Sequence, residues 1–280
     1  MTAASPLKIC VVGASGRLGR LILSECVRRD DLEAAGGVVR YDSVQLGTDL
    51  GERAGRAPVA VETVVGVEDA ARGADVIVDV AAPAMTEAIA KRILDGALTQ
   101  PLVTGVTGLS DDQSRLVREA GERTAVLQAR NFSLGAALME RLVALAAAAL
   151  PADSWDLEII EAHHRRKADA PSGTAIMIGE AAAAARGLDF DREAMFERPR
   201  TGGARPIGAI GFSAVRGGGV VGEHAARFLN SFEEVEIAHK AHDRFIFARG
   251  AVEAALWLAG RPAGFYTLQD VVSDRLEAVR

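Results

Sequence analysis

Val11-Val12-Gly13-Ala14-Ser15-Gly16-Arg17-Leu18-Gly19 decides how the chain begins to fold. The apolar run 9–12 reads as a buried strand, and 17–29 carries Leu18, Leu21, Ile22 and Val27 at helical spacing. The three glycines between and within these elements have different tasks. Gly13 permits the tight turn, Gly16 lets the backbone approach a pyrophosphate, and Gly19 lets the helix pack close on the strand. The helix start then offers N–H groups and the positive end of its dipole to phosphates. A glycine-rich turn can be purely structural. Here the preceding strand, the spacing, the following helix and the N-terminal position agree on a dinucleotide site.

The pattern continues outward from this turn. Residues 34–39 read as a second strand, and 76–80 as a third, rich in β-branched residues and ended by Pro83. A helix over 85–94, a short strand at Leu102 and Val103, a helix opened by Asp111 and Asp112, and a strand over 124–128 follow. Strands separated by helical crossovers predict a mainly parallel sheet with helices on both faces. After Asn131 the pattern changes: a helix over 135–150, a strand over 155–161, a polar loop, and an alanine-rich helix over 174–186. Strands over 207–216 and 220–228 come next, with Gly217-Gly218-Gly219 read as the turn joining them, then a strand over 235–239. This is an α+β pattern with an open mixed sheet. The final helix, 251–258, is expected to pack back on the first domain. The stretch 198–205 reads as a loop.

Bulk composition narrows the partners. The 280 residues suit two domains, and a net charge of −6 gives no basic excess for nucleic acid or a membrane surface. The two cysteines, Cys10 and Cys26, suggest no disulfide framework and fit a reducing cytoplasm. No apolar run reaches the ~18 residues of a membrane span, and residues 1–8 lack the apolar core of a signal peptide. No histidine, cysteine or carboxylate set has metal-ligand spacing.

Cofactor preference is written at the end of the second strand. A carboxylate there would bind the adenosine ribose of NAD, but the chain has Val39 followed by Arg40. Arg40 can pair with a 2′-phosphate, assisted by Arg17, which favours NADPH over NADH. The alternative is a solvated Arg40 with Asp42 reaching back to the ribose.

The segment richest in chemistry is Glu161-Ala162-His163-His164-Arg165-Arg166-Lys167-Ala168-Asp169-Ala170-Pro171-Ser172-Gly173-Thr174, read as a loop at a strand end. In an acidic chain this cation cluster is a funnel for an anion. Ser172 can cap the next helix, leaving the Gly173 and Thr174 N–H groups for one carboxylate, while a histidine or Lys167 pairs with a second. Histidine, or a lysine of lowered pKa, can also donate a proton. A solvated basic loop is the plainer alternative. His224, His239 and Arg244 read as structural or supporting residues, with substrate contact the alternative for Arg244.

Glu-Ala-His-His-Arg-x-Lys-x-Asp-Ala-Pro-Ser-Gly-Thr resembles the signature of the 4-hydroxy-tetrahydrodipicolinate (dihydrodipicolinate) reductase family, and the resemblance extends over the whole chain. It takes in the glycine turn, Gly105-Val106-Thr107-Gly108, 129–133, Ile210-Gly211-Phe212, Val221-Gly222-Glu223-His224 and Gly250-Ala251-Val252. The resemblance implies NADPH- or NADH-dependent reduction of a cyclic dicarboxylate in lysine and diaminopimelate biosynthesis. It implies His163 as proton donor/acceptor, Lys167 as proton donor, and His164, Gly173 and Thr174 as substrate contacts. The implied cofactor contacts are Gly13, Ala14, Ser15, Gly16, Arg17, Leu18, Arg40, Gly105, Val106, Thr107, Ala129, Arg130, Asn131 and Phe132. The implied fold is α/β: a Rossmann dinucleotide-binding domain, 1–131 with 243–280, plus an α+β substrate domain, 132–242, whose sheet builds a homotetramer. Three departures from the family pattern lie on the cofactor side: Val80-Ala81 for Phe-Thr, Val106 for a threonine, and Arg130 for a small residue. A paralogous reductase of another cyclic imine acid and a non-catalytic NADP(H) sensor are the competing readings.

Overall fold

The computed structural model describes residues 5–198 and 202–278, so part of the stretch 198–205 lies outside the described residues. The chain divides into two compact units. One holds the residues up to Phe132 together with those from Phe245 onward, and the other is Ser133–Arg244.

The first unit runs β1 (Leu7–Val12), α1 (Arg17–Arg28), β2 (Leu32–Val38), α2 (Leu50–Arg53), β3 (Thr63–Val64), α3 (Val67–Ala70), β4 (Val76–Asp79), α4 (Pro83–Leu94), β5 (Leu102–Thr104), α5 (Asp111–Ala120) and β6 (Ala125–Gln128). Among the described residues these strands and β12 (Gly264–Tyr266) form a seven-stranded sheet of order β12-β6-β5-β4-β1-β2-β3. Every pairing is parallel. A parallel sheet is covered on both faces, which is why β4 and β5 are buried at every position. On one face Ile89, Ile93 and Val117 pack against Cys10, Ile77 and Leu102. The C-terminal segment supplies α9 (Phe245–Leu258), β12 (Gly264–Tyr266) and α10 (Leu268–Glu277). Helix α9 packs beside α1 and against β4, β5 and β6. It starts six residues earlier than its sequence pattern suggested, because Phe245 and Ala248 extend the apolar face.

The second unit runs α6 (Leu134–Ala149), β7 (Asp156–His163), α7 (Gly173–Arg186), α8 (Phe190–Glu193), β8 (Ala194–Met195), β9 (Ile210–Arg216), β10 (Gly222–Leu229) and β11 (Glu234–Ala241). Its sheet has the order β11-β10-β7-β9-β8. Strand β7 runs parallel to β9 and antiparallel to β10, so the sheet is mixed. Met139 and Val143 of α6 and Ile178 and Ala182 of α7 cover one face, packing on Leu157, Ile159, Ile210 and Phe228. Burial alternates strictly along β10, as expected for a sheet with one covered face.

Three sequence expectations differ from the structure. The helix over 251–258 is not the final one, since α10 follows it. Gly217-Gly218-Gly219 is not a hairpin turn: β7 lies between β9 and β10, so this segment crosses over the end of β7. Local turn chemistry fixes the bend, but the burial of Leu157 and Ile159 puts β7 between two partners. In addition, β7 runs on to His163, which pairs with Arg216 of β9, so His163 sits on a strand rather than in the loop. No helix among the described residues is long and apolar enough to cross a membrane.

Candidate active site

In the first unit the glycine turn has the geometry its residues require. Gly13 has φ of +88°, open to glycine at little cost, and a Cβ there would lie 3.0 Å from the backbone of Val80 and Ala81. A Cβ on Gly19 would lie 2.2 Å from the Gly13 carbonyl oxygen, so only glycine allows α1 this close to the turn. Ala14 is buried, Ser15 and Leu18 are half-buried, and Gly16 and Arg17 are exposed. Gly16 caps α1 without any side-chain hydrogen bond, and the first turn holds no acidic residue. That helix start presents N–H groups and positive dipole to an incoming phosphate. Arg53, which no sequence motif marks, braces the turn by donating to the Ser15 carbonyl at 3.3 Å and to Gln45 at 2.8 Å.

The other cofactor candidates follow β2, β5 and β6, on the same carboxyl edge of the parallel sheet as the glycine turn, where such sheets bind ligands. Arg40 is exposed and pairs with Asp42 at 3.4 Å. Val106 and Ala129 are buried, Thr107 and Arg130 exposed, and Asn131 half-buried. The Phe132 ring is buried against Gly105, where a Cβ would meet it at 2.2 Å. Asp79, fully buried, ties these loops together. Its carboxylate accepts from the Ala81 N–H at 3.0 Å, Thr86 Oγ1 at 2.6 Å and Thr104 Oγ1 at 3.3 Å. Burial pushes its pKa up against these donors. The signal for it was a lone carboxylate ending an all-apolar strand. An uncapped helix start behind a glycine turn, with neighbouring loops on one sheet edge, fits a dinucleotide.

In the second unit the end of β7 gathers the reactive side chains. His163 Nδ1 lies 2.6 Å from Glu161 Oε2. Arg216 clamps the same carboxylate with both terminal nitrogens, at 2.7 and 2.6 Å, and the Ser172 N–H donates to it at 3.1 Å. Burial opposes ionisation of Glu161, but the hydrogen bonds from Arg216 and His163 prevail and hold its pKa below the usual range. Lys167 pairs with Asp169 at 2.8 Å. Arg244 donates to His164 Nε2 at 2.9 Å. Burial, then the charges of Arg244 and Arg166, lower the His164 pKa. Arg165, Arg166 and Arg244 have no carboxylate partner among the described residues, so the cluster keeps excess positive charge for an anion.

Helix α7 starts against this cluster. The Ser172 hydroxyl caps it by accepting from the Ala175 N–H at 3.2 Å. Gly173 is exposed, and a Cβ there would meet nothing within 4 Å; Thr174 follows, half-buried. Ser172 Oγ is held in turn by His224 Nε2 at 2.9 Å. The His224 ring stands edge-on to His163 at 5.3 Å. Burial, then the neighbouring His163, pushes the His224 pKa down to about 4. The structure therefore brings His163, Lys167, His164 and the Gly173–Thr174 helix start to one strand end. It adds Glu161, Arg216, Ser172 and His224 as the groups that fix them.

The residues 7–132 match the family model described as dihydrodipicolinate reductase, N-terminus, and 135–272 match that for its C-terminus. The chain belongs to the dihydrodipicolinate reductase family. Among curated members of this reductase family, the 4-hydroxy-tetrahydrodipicolinate reductase of Acinetobacter baylyi is 42% identical over 96% of this chain and 97% of that one. The Caulobacter vibrioides enzyme of the same name is 41% identical over 95% and 97%. Among solved structures, the dipicolinate-bound dihydrodipicolinate reductase of Paenisporosarcina sp. TG-14 superposes with a TM-score of 0.77 at 24% identity, covering 95% of this chain and 99% of that one. This likeness supports the fold of the dihydrodipicolinate reductases across both units.

Proposed function

We propose that this chain catalyses the NAD(P)H-dependent reduction of 4-hydroxy-tetrahydrodipicolinate to tetrahydrodipicolinate, the step its curated relatives are named for, in lysine and diaminopimelate biosynthesis. The observation that carries this reading is the convergence of His163, Lys167 and the capped start of α7 at the end of β7. The reaction adds a hydride and a proton and releases the 4-hydroxyl as water. When bound, the dinucleotide supplies the hydride. The chain's own residues do the rest. One substrate carboxylate docks at Gly173 and Thr174, where the α7 dipole favours an anion, and the other meets Lys167 and His164. Lys167, held by Asp169, serves as a fixed cation and a second candidate proton donor. His163 donates the proton to the carbon next to the one reduced. Residues 1–131 with 243–280 are assigned the cofactor, and 132–242 the substrate.

Finer points follow from particular residues. Arg40 favours NADPH, since a guanidinium pairs well with a 2′-phosphate. Arg40→Ala is expected to raise KM for NADPH about tenfold and leave KM for NADH within about twofold, the scale of one charge-assisted contact. Two free buried thiols, Cys10 and Cys26, fit the cytoplasm. The face of the second sheet away from α6 and α7 suits a homotetramer. The test of the proton role is His163→Gln, expected to lower kcat on the order of 100-fold while leaving the dinucleotide Kd unchanged. Unchanged turnover would remove His163 from that role.

A further inference from the structure

We propose that Glu161 is the positioning residue that fixes the tautomer of His163, holding one proton on Nδ1 throughout so that Nε2 alone takes up a proton from solvent, forming the imidazolium, and gives it to substrate. This inference rests on the reading of His163 as proton donor. The Glu161 side chain is 1% exposed, and both oxygens are filled. Oε2 takes His163 Nδ1 at 2.6 Å and Arg216 Nη1 at 2.7 Å, while Oε1 takes Arg216 Nη2 at 2.6 Å and the Ser172 N–H at 3.1 Å. An ionised carboxylate only accepts hydrogen bonds, so the imidazole nitrogen facing it must carry a proton. A carboxylate saturated by donors is not itself a proton acceptor for the reaction; its effect passes through the ring it orients. The other ring nitrogen lies at the start of β10, where a Cβ on Gly222 would come within 3.1 Å of it. Gly222 thus leaves Nε2 its space. The same carboxylate anchors the N-cap of α7, so one buried group sets both the proton donor and the start of the carboxylate-binding helix.

Glu161→Gln makes the argument testable, because an amide must place its NH₂ at one of the two oxygen positions. At the Oε1 position the NH₂ would oppose two fixed donors, Arg216 Nη2 and the Ser172 N–H. At the Oε2 position it opposes only Arg216 Nη1, and His163 can accept from it by moving its own proton to Nε2. The variant is therefore expected to invert the tautomer. Nitrogen-15 spectra of the histidines at a pH where the ring is neutral read this directly. There are five histidines, and His163→Gln identifies the signal. The expected result is an Nδ1–H ring in the wild-type chain and an Nε2–H ring in Glu161→Gln. In that variant kcat should fall on the order of 100-fold, with KM changed less than about threefold. An Nε2–H ring in the wild-type chain overturns the proposal even if the variant does not fold. An unchanged tautomer and kcat in Glu161→Gln also overturn it, and a loss of turnover in His163→Gln then shows that the proton-donor reading survives. Full turnover in His163→Gln would overturn that reading and the kinetic consequence drawn from it, and the spectra tell the two failures apart.

Discussion

His163 takes its setting from residues distant in sequence. Arg216 is 55 positions from Glu161, and His224 is 52 positions from Ser172. That explains what was legible. His163, His164, Lys167, Gly173 and Thr174 stand close together in the chain, so a basic run ending in a helix cap exposed them as a group. Arg216 carries no local mark and Gly222 only its place in a family motif, since their roles arise only when β9 and β10 flank β7. Gly222→Ala tests this scale. Its Cβ would sit 3.1 Å from His163 Nε2, a contact that displaces the ring by a few tenths of an ångström. Turnover is expected to fall several-fold with stability changed by less than about 1.5 kcal/mol, as for a small overpacking. Steady-state kinetics beside a denaturant titration check it. Turnover equal to wild type would mean that the space beside Nε2 has no catalytic consequence.

Two helix starts in the second unit are held alike. His224 of β10 grips Ser172 at the start of α7, and His239 of β11 lies 3.2 Å from Ser133 Oγ at the start of α6. The two histidines are direct cross-strand partners. Gly135 is part of the same fit, since a Cβ there would meet the His239 ring at 2.9 Å. Burial lowers the pKa of both, that of His224 to about 4. An unfolded histidine titrates near 6.5, so between those values the unfolded chain holds a proton that the folded one refuses. The stability from His224 is therefore complete above about pH 6.5 and is lost as pH falls toward 4, about 3 kcal/mol in all. Glu161, with its pKa lowered, contributes stability that is lost at still lower pH, as acid protonates the folded carboxylate. Urea midpoints should fall across that first window, and His224→Gln should flatten the slope. A wild-type midpoint constant from pH 7 to 4.5 would contradict the account. At this scale periodicity found α1, α4, α5, α6, α7 and α9 and the buried strands, but it read 251–258 as the final helix and missed α10, Leu268–Glu277. It also missed β12, because three half-buried residues give no period to read.

For the whole molecule, strand order is what the sequence concealed. Three glycines between two strand patterns look like a hairpin, and only the placement of β7 between β9 and β10 turns them into a crossover above His163. The parallel order of the first sheet was legible because β-α-β crossovers have one common solution. The open face of the second sheet carries Ala238, Ala225, Ile160 and Ser213 as one row across four strands. Next to it run Lys240, Glu223, Ala162 and Val215, the last 55% exposed. A row of mostly small residues beside a Lys240–Glu223 pair suits packing of this face against copies of itself, as the proposed homotetramer requires. Sedimentation should give a tetramer that Ala225→Arg breaks into smaller species, and a wild-type monomer would contradict the assignment.

The reaction itself is tested by following the oxidation of the reduced dinucleotide with substrate generated in place by the upstream synthase from pyruvate and aspartate semialdehyde. The expected result is rapid synthase-dependent oxidation of NADPH, slower oxidation of NADH, and loss of both on the order of 100-fold in His163→Gln. A wild-type chain that binds either dinucleotide but oxidises neither in the presence of that substrate would contradict the proposed reaction.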